Sequence, residues 1–419
     1  MLAAVKPGGS FLLTGFAGSG KTTLMQVLAK ELQKRHQSVV LTAPTHKAVA
    51  VLSRKLQSAE IEGVSCVTIH SLLSLTPKPV GDRMVFQRKK HADPVTQDVV
   101  VIDECSMVGE ELFVHIRRHL QESFVLFVGD PAQLPPVGEI ESHTFGVKGR
   151  SHLDTIVRQA EGNPILDAAH IIRRSQGGDI DWSWCVPAKA NPFGVFIPGP
   201  AADAWMQKGF TSEEFANDPD TFRYLAWTND RVDQINRKVR RWIYGDSIPT
   251  PFMPGERALV RSPIVKDRTI LFNTNEEATV LSMEPDTFQH KFEAFGDLSR
   301  WVADVPSWAV KLRKDDGDTH EVHMIRDNGA YNRIVARIAD EATDCRDRWG
   351  DHHSFKSALA RLQSIYAMTV HTSQGSTFKN CFVDVGDIRR RVASNVLEAQ
   401  QLLYVAATRP THALILVGA

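Results

Sequence analysis

The 419-residue sequence is short of cysteine, carries no net charge and holds no long apolar run. Each shortage removes a class of function. Its five cysteines, Cys66, Cys105, Cys185, Cys345 and Cys381, are scattered, odd in number and never spaced as CxxC. That pattern argues against both a disulfide framework and a zinc ribbon, and a reducing cytosol is the expected compartment. Lys plus Arg and Asp plus Glu both total 49, so no global basic field marks a polyanion partner. Any nucleic-acid site must therefore be local. The stretch "SFLLTGFAG" is too short and too glycine-interrupted for a signal-peptide core or a membrane span, and no other run reaches bilayer length. A soluble cytosolic protein with no membrane partner is expected. With 42% hydrophobic and 23% charged residues, disorder is not expected to dominate.

What the sequence does have is alternation. The runs "SFLLTGF", "SVVLTAP", "DVVVIDE" and "FVLFVGD" are each followed by helix-compatible sequence, which predicts βα units on a parallel sheet. The pattern resumes with "FRYLAWT" and "NDRVDQINRKVRRW", then "IYAMTVHTSQG", "FKNCFVDV", the helix-like "SNVLEAQQLLYVAAT" and "HALILVG". Two α/β domains are the economical reading. Two segments interrupt them. Residues 76–97, proline-bounded with a Gly-Asp turn signal, predict a small hairpin. Residues 273–361 contain strand-like "ATVLSM", "WAVKLR" and "EVHMIR", then helices over "RIVARIADEA" and "SFKSALARL", and are read as an insertion.

"GFAGSGKT", Gly15 to Thr22, fits G-x-x-x-x-G-K-[ST] between a strand and a helix. Gly15, Gly18, Ser19 and Gly20 let backbone N–H groups close around phosphates at a helix N-terminus. Lys21 reaches the β and γ phosphates, Thr22 can ligate magnesium, and Thr23 completes the turn. "VVVIDE" supplies Asp103 as the second magnesium ligand and Glu104 as the base that takes a proton from attacking water. "FVLFVGDPAQLPPV" should end beside those two strands, on the ligand-binding edge of an open sheet. Asp130 and Gln133 would then adjoin the γ-phosphate, with Gln133 on a loop stiffened by Pro135 and Pro136. ATP and Mg2+ are the implied cofactors. The bland alternative for each of these residues, a solvated loop or strand end, loses force once the phosphate loop stands upstream.

"GFAGSGKT", "APTHKAV", "TIHSLL", "VIDECSM", "GDPAQLPPV", "VHTSQGST" and "LLYVAATRP", in this order, resemble the motifs of superfamily 1 helicases, most closely the RecD and Dda branch. The resemblance covers nearly the whole chain. It implies an α/β fold of two RecA-like parallel-sheet domains in tandem, the first at 1–75 and 98–184, the second at 185–272 and 362–419. It also implies a pin hairpin at 76–97 and an SH3-like β-barrel with a helical extension at 273–361. The implied activity is ATP-driven 5′-to-3′ movement on single-stranded DNA with duplex unwinding. An ATPase that moves or displaces bound proteins without unwinding stays open as the alternative, and a small-molecule P-loop kinase is a weaker one.

By the same resemblance, Arg158 reaches the γ-phosphate, Arg409 is the arginine finger from the second domain, and Gly375, beside Gln374, lies near the γ-phosphate or the hinge. The strand track is carried by Pro44, Thr45, His46, Lys47, Thr68, His70, Ser71, Asn229, His371 and Thr372, with Phe86 as the stacking aromatic on the pin. Expected partners are single-stranded DNA, single/double-strand junctions and single-strand binding or replication proteins, for a monomer in the bacterial cytosol or a phage-infected cell. Family members carry an N-terminal segment whose Gln reads adenine, whereas here the first core strand begins near residue 10, so base selectivity is the least supported part of the nucleotide reading.

Overall fold

The structure is a computed structural model that describes residues 5–80, 83–154, 162–266, 269–294, 298–345 and 347–419. It divides into two compact units, one of residues 1–76, 88–243 and 366–419, the other of residues 77–87 and 244–365.

The first sheet is wound from β1 (Ser10–Gly15), α1 (Lys21–Lys34), β2 (Val39–Ala43), α2 (His46–Ser58), β3 (Ser65–Thr68) and the one-turn α3 (Ile69–Leu72). The strands β4 (Leu75–Val80) and β5 (Arg83–Arg88) pair as a hairpin before β6 (Val99–Ile102), α4 (Glu110–His119), β7 (Phe124–Gly129) and β8 (Arg150–Leu153). Strand order is β3-β2-β6-β7-β1-β8, and every pairing is parallel. The sequence explains the centre of this sheet. "VVVI" in β6 and "FVLFVG" in β7 are buried at every position, the continuous apolar reading of a strand covered on both faces. Helix α1 buries Met25, Leu28, Ala29 and Leu32, one stripe at helical spacing, and each large side chain contributes roughly 1.5–3 kcal/mol when fully covered.

Helix α5 (Pro164–Arg174) leads into a second sheet through β9 (Ala188–Ala190), β10 (Phe193–Phe196), α6 (Ala202–Phe210), α7 (Glu213–Asn217), β11 (Phe222–Ala226) and α8 (Asn229–Tyr244). The chain then leaves for the other unit. That unit holds β12 (Arg257–Val260), β13 (Ile264–Lys266), β14 (Thr269–Phe272), the long β15 (Glu277–Phe292) and β16 (Trp301–Arg313), and β17 (Thr319–Ile325). Helices α9 (Asn328–Asp344) and α10 (Arg348–Ala358) follow, then the short β18 (Leu359–Ala360) and β19 (Leu362–Ser364). Its sheet runs β18-β17-β16-β15-β12-β19, with β13 and β14 paired separately. "SFKSALARL", expected to be helical throughout, ends its helix at Ala358. Leu359 pairs with His323 and Leu362 with Val260, so tertiary pairing overrides local helix propensity.

The second sheet is completed by β20 (Ala367–Thr369), β21 (Phe378–Asp384), α11 (Val385–Val392), α12 (Val396–Ala407) and β22 (Pro410–Val417), in the order β20-β11-β21-β22-β10-β9. Only β9 is antiparallel to its neighbour. Helix α12 is buried along nine consecutive residues, Ala399 to Ala407. It shares one core with α5 and with Ala132 and Leu134 from the loop after β7. Gln400, also on α12, stitches the connector after α5 to itself. Its amide donates to Ser175 O at 2.6 Å and Gly178 O at 2.9 Å and accepts from Gly177 N at 3.2 Å. No helix among the described residues is long and apolar enough to cross a membrane.

Candidate nucleotide and nucleic-acid site

The phosphate loop joins β1 to α1. Gly18 and Gly20 adopt φ of 77° and 82°, a region that L side chains disfavour, and Gly20 caps α1. At Gly15 a Cβ would come within 2.6 Å of Ser19 Oγ, so the loop can close this tightly only on glycine. Ser19 is buried and its Oγ has no hydrogen-bond partner. Lys21 Nζ donates to Gly15 O and Phe16 O, each at 2.8 Å, which holds the ammonium over the loop, while Thr22 and Thr23 follow in the first turn of α1.

The ends of β6 and β7 bring further groups to the same edge of the sheet. Asp103 N donates to Thr42 O at 2.8 Å, continuing the ladder one residue past β6. Burial, and after it the neighbouring Glu104 carboxylate, push the Asp103 carboxyl up to about 7, with Lys21 and Lys55 pulling the other way. Glu104 sits at φ 52°, an unusual conformation for a glutamate, which turns the chain into a short 3-10 turn at Cys105–Met107. Gln133 is buried and its Oε1 lacks a partner. Orphaned oxygens on Ser19 and Gln133, a buried carboxyl whose charged form is disfavoured by burial and by Glu104, and a lysine resting on carbonyls form a set of groups suited to a triphosphate with a divalent cation.

Lys55, which the sequence reading missed, donates from α2 to Thr22 Oγ1 at 3.3 Å. Asp130 departs from its expected place. It is fully buried and engaged inside the protein, accepting from Ala132 N and Arg173 NH2, each at 3.1 Å, and from Tyr404 OH. The Arg173 guanidinium also lies over the Phe16 ring, 4.1 Å from its centre. Arg158 lies outside the described residues.

Arg409 follows α12 and is buried. Its guanidinium donates to Val405 O at 3.1 Å, Ser376 O at 3.0 Å, Ser373 O at 3.4 Å and Thr408 Oγ1 at 3.0 Å. Burial lowers its proton affinity, and the charge of Glu104, from the first sheet, raises it. Gly375 has φ 72°, and a Cβ there would stand 3.0 Å from Ala48 Cβ and 3.4 Å from Thr45 Oγ1. The structure thus sets Gly375 against the start of α2, and Gln374 Nε2 donates to Leu134 O at 3.2 Å.

The strand-track residues occupy turns at the strand ends of both sheets. Pro44 precedes Thr45, which caps α2 by accepting from Ala48 N, and His46 and Lys47 form the first turn. Lys47 pairs with Asp220 at 3.4 Å. Thr68 caps α3 and bonds Ser71 Oγ at 2.8 Å. Between them, burial takes the His70 imidazole down to about 4, so its ring is neutral at physiological pH. Asn229 opens α8, His371 is also lowered by burial, and Thr372 is tied to Thr369. Phe86 lies on β5 and is partly exposed.

Comparison with known proteins agrees with this geometry. The model of the AAA domain matches residues 3–183, and that of the UvrD-like helicase C-terminal domain matches residues 364–417. The ATP-dependent DNA helicase dda of Enterobacteria phage T4 is 24% identical across 95% of this chain and 92% of its own length. The RecBCD enzyme subunit RecD of Haemophilus influenzae is 30% identical across 88% of this chain and 61% of its own. A solved Pif1 helicase structure, from work on unwinding at forked double-stranded DNA, aligns at a TM-score of 0.51 with 18% identity, covering 97% of this chain and 88% of the other. The two parallel sheets are therefore tandem RecA-like domains with accessory sheet and helical insertions. The chain is an ATP-hydrolysing, DNA-helicase-like P-loop enzyme, similar to the superfamily 1 helicases Pif1, RecD and Dda.

Proposed function

We propose that this chain is a magnesium-dependent DNA helicase that moves 5′ to 3′ along one strand and parts the duplex at the β4–β5 hairpin. The reading rests most on one observation: the helix that leads to Arg409 touches the phosphate loop directly, Ala17 N donating to Tyr404 OH at 3.2 Å. Bound magnesium, held by Thr22 and Asp103, would supply neutralisation of phosphate charge. Lys21 exchanges its loop carbonyls for phosphate oxygens, with the amides of Gly15, Gly18, Ser19, Gly20 and Thr23 around them. Glu104 accepts the proton of the attacking water, and the unpartnered Gln133 Oε1 orients that water. Arg409 leaves main-chain carbonyls for the charge that develops on the transferred group. Gly375, packed on the start of α2, couples this cycle to the strand track.

In this reading Pro44, Thr45, His46, Lys47, Thr68, His70 and Ser71 grip the strand from the first sheet, and Asn229, His371 and Thr372 grip it from the second. Phe86 stacks on the base at the junction, the hairpin is the pin, and the β12–β19 sheet is the SH3-like insertion.

The test is unwinding of duplexes bearing a 5′ or a 3′ single-stranded tail, with ATP and magnesium. The expected outcome is strand separation from the 5′-tailed duplex only. Separation from the 3′ tail alone would refute the polarity, and strand-stimulated hydrolysis with both duplexes intact would favour a translocase that does not unwind.

A further inference from the structure

We propose that Tyr404 is a positioning residue that couples the phosphate loop to Arg409 through one hydroxyl shared between Asp130 and the backbone of Ala17. The inference rests on the ATPase reading above and gives a role to Tyr404, a residue of "LLYVAATRP" that the reading leaves unused.

The hydroxyl is used in both directions. It donates to Asp130 Oδ2 at 2.5 Å and accepts from Ala17 N at 3.2 Å. Ala17 belongs to "GFAGSGKT", so one amide of the phosphate loop is committed to a side chain of helix α12. Both ends are deep: Tyr404 is 1% exposed and Asp130 0%. Burial and the adjacent Asp130 carboxylate raise the phenol's affinity for its proton, which keeps it a donor. Asp130 Oδ1 is meanwhile filled by Ala132 N and Arg173 NH2, so the tyrosine supplies the bond to the second oxygen. Arg173 closes the arrangement from below, its guanidinium stacked on Phe16, the loop residue before Ala17. Two consecutive loop residues are thereby read by two side chains that converge on one buried carboxylate.

The same helix carries the response. Tyr404 lies in the last turn of α12, and Arg409 Nε donates back to Val405 O, the residue after it. Buried along nine consecutive residues, α12 moves as a body. A shift of the loop backbone at Ala17 therefore changes the seat of the helix end that holds Arg409. Removing the hydroxyl should leave the ring packed while cutting this link.

Tyr404→Phe tests it in the full-length protein, with the ATP concentration varied at saturating single-stranded DNA. The wild type should hydrolyse ATP. Tyr404→Phe should lower kcat about tenfold while KM for ATP moves less than about twofold, and in an Arg409→Ala background the same change should lower kcat less than about twofold. An equal loss in both backgrounds, a KM effect alone, or no change would overturn the inference while leaving the ATPase reading intact. A wild type that fails to hydrolyse ATP with any strand would overturn the ATPase reading itself, and the inference with it. Asp130→Asn, close to isosteric, serves as the second variant should Tyr404→Phe not fold. It should show the same masking by Arg409→Ala, and additive losses would again refute the proposal.

Discussion

Among single residues, His70 gives the most direct physical prediction. Its folded value near 4 lies below that of an ordinary histidine because burial penalises the imidazolium, with His46 and His115 adding to the shift and Glu111 opposing it. Below about 6.5 the unfolded chain takes up a proton that the folded protein refuses. The stability linked to His70 is thus fully present above that pH and is lost as pH falls towards 4. His70→Asn should flatten the melting-temperature profile between pH 4 and pH 6.5 and leave it unchanged at pH 8; calorimetric scans across that range check it. At this scale the sequence was readable where a residue's role depends on its immediate neighbours. Glycines, Lys21 and Thr22 announce a phosphate loop because their spacing is the mechanism. Asp130 was not readable in the same way. Its partners Arg173 and Tyr404 lie 43 and 274 positions away, and no local pattern encodes a carboxylate sealed between them. Lys55, 33 positions from Thr22, escaped for the same reason.

At the level of elements, the turn holding Gly375 is a close joint between the two sheets' motifs. A φ of 72° disfavours any side chain, and a Cβ would stand 3.0 Å from the Ala48 methyl, which would have to give by a few tenths of an ångström. Gly375→Ala should cost about 1–2 kcal/mol from the backbone conformation alone, before any displacement of Ala48. Denaturant midpoints should fall accordingly, and strand-stimulated turnover should fall with them. An unchanged midpoint would mean that the turn relaxes freely. The elements themselves were legible to the extent that they were long and buried. β6 and β7 declare themselves as unbroken apolar runs, and α1 and α8 by helical spacing. β18 and β19, with two and three residues, are too short to show any period, and they exist because β17 and β12 offer them open edges. The 16- and 13-residue strands β15 and β16 outran the short apolar cores that predicted them, because much of their length is held by pairing to each other.

For the whole molecule, zero net charge conceals local organisation. In the proposed track, Lys47 beside the cap of α2 and hydroxyls at Thr45, Thr68 and Thr372 are the groups offered to a strand, although the chain's net charge is zero. Affinity for single-stranded DNA should therefore drop steeply with added salt, by a log–log slope of about −0.7 for each phosphate engaged. Fluorescence titrations from low to physiological salt measure it. A level response would remove the proposed track. Lys47→Ala should reduce the slope by about one contact, allowing for the ion pair it already makes with Asp220.

The stitching of the connector by Gln400 bears on where the molecule can bend. Residues 175–178 are fastened to a helix of the second sheet, and α5 before them is packed in that helix's core. The connector is thus no slack leash but a splice fastened on both sides, since Arg173 bonds Asp130 and Gln176 Nε2 donates to Ala132 O at 2.8 Å. A protease cut just after Gly178 should leave the two fragments clasped together rather than release them.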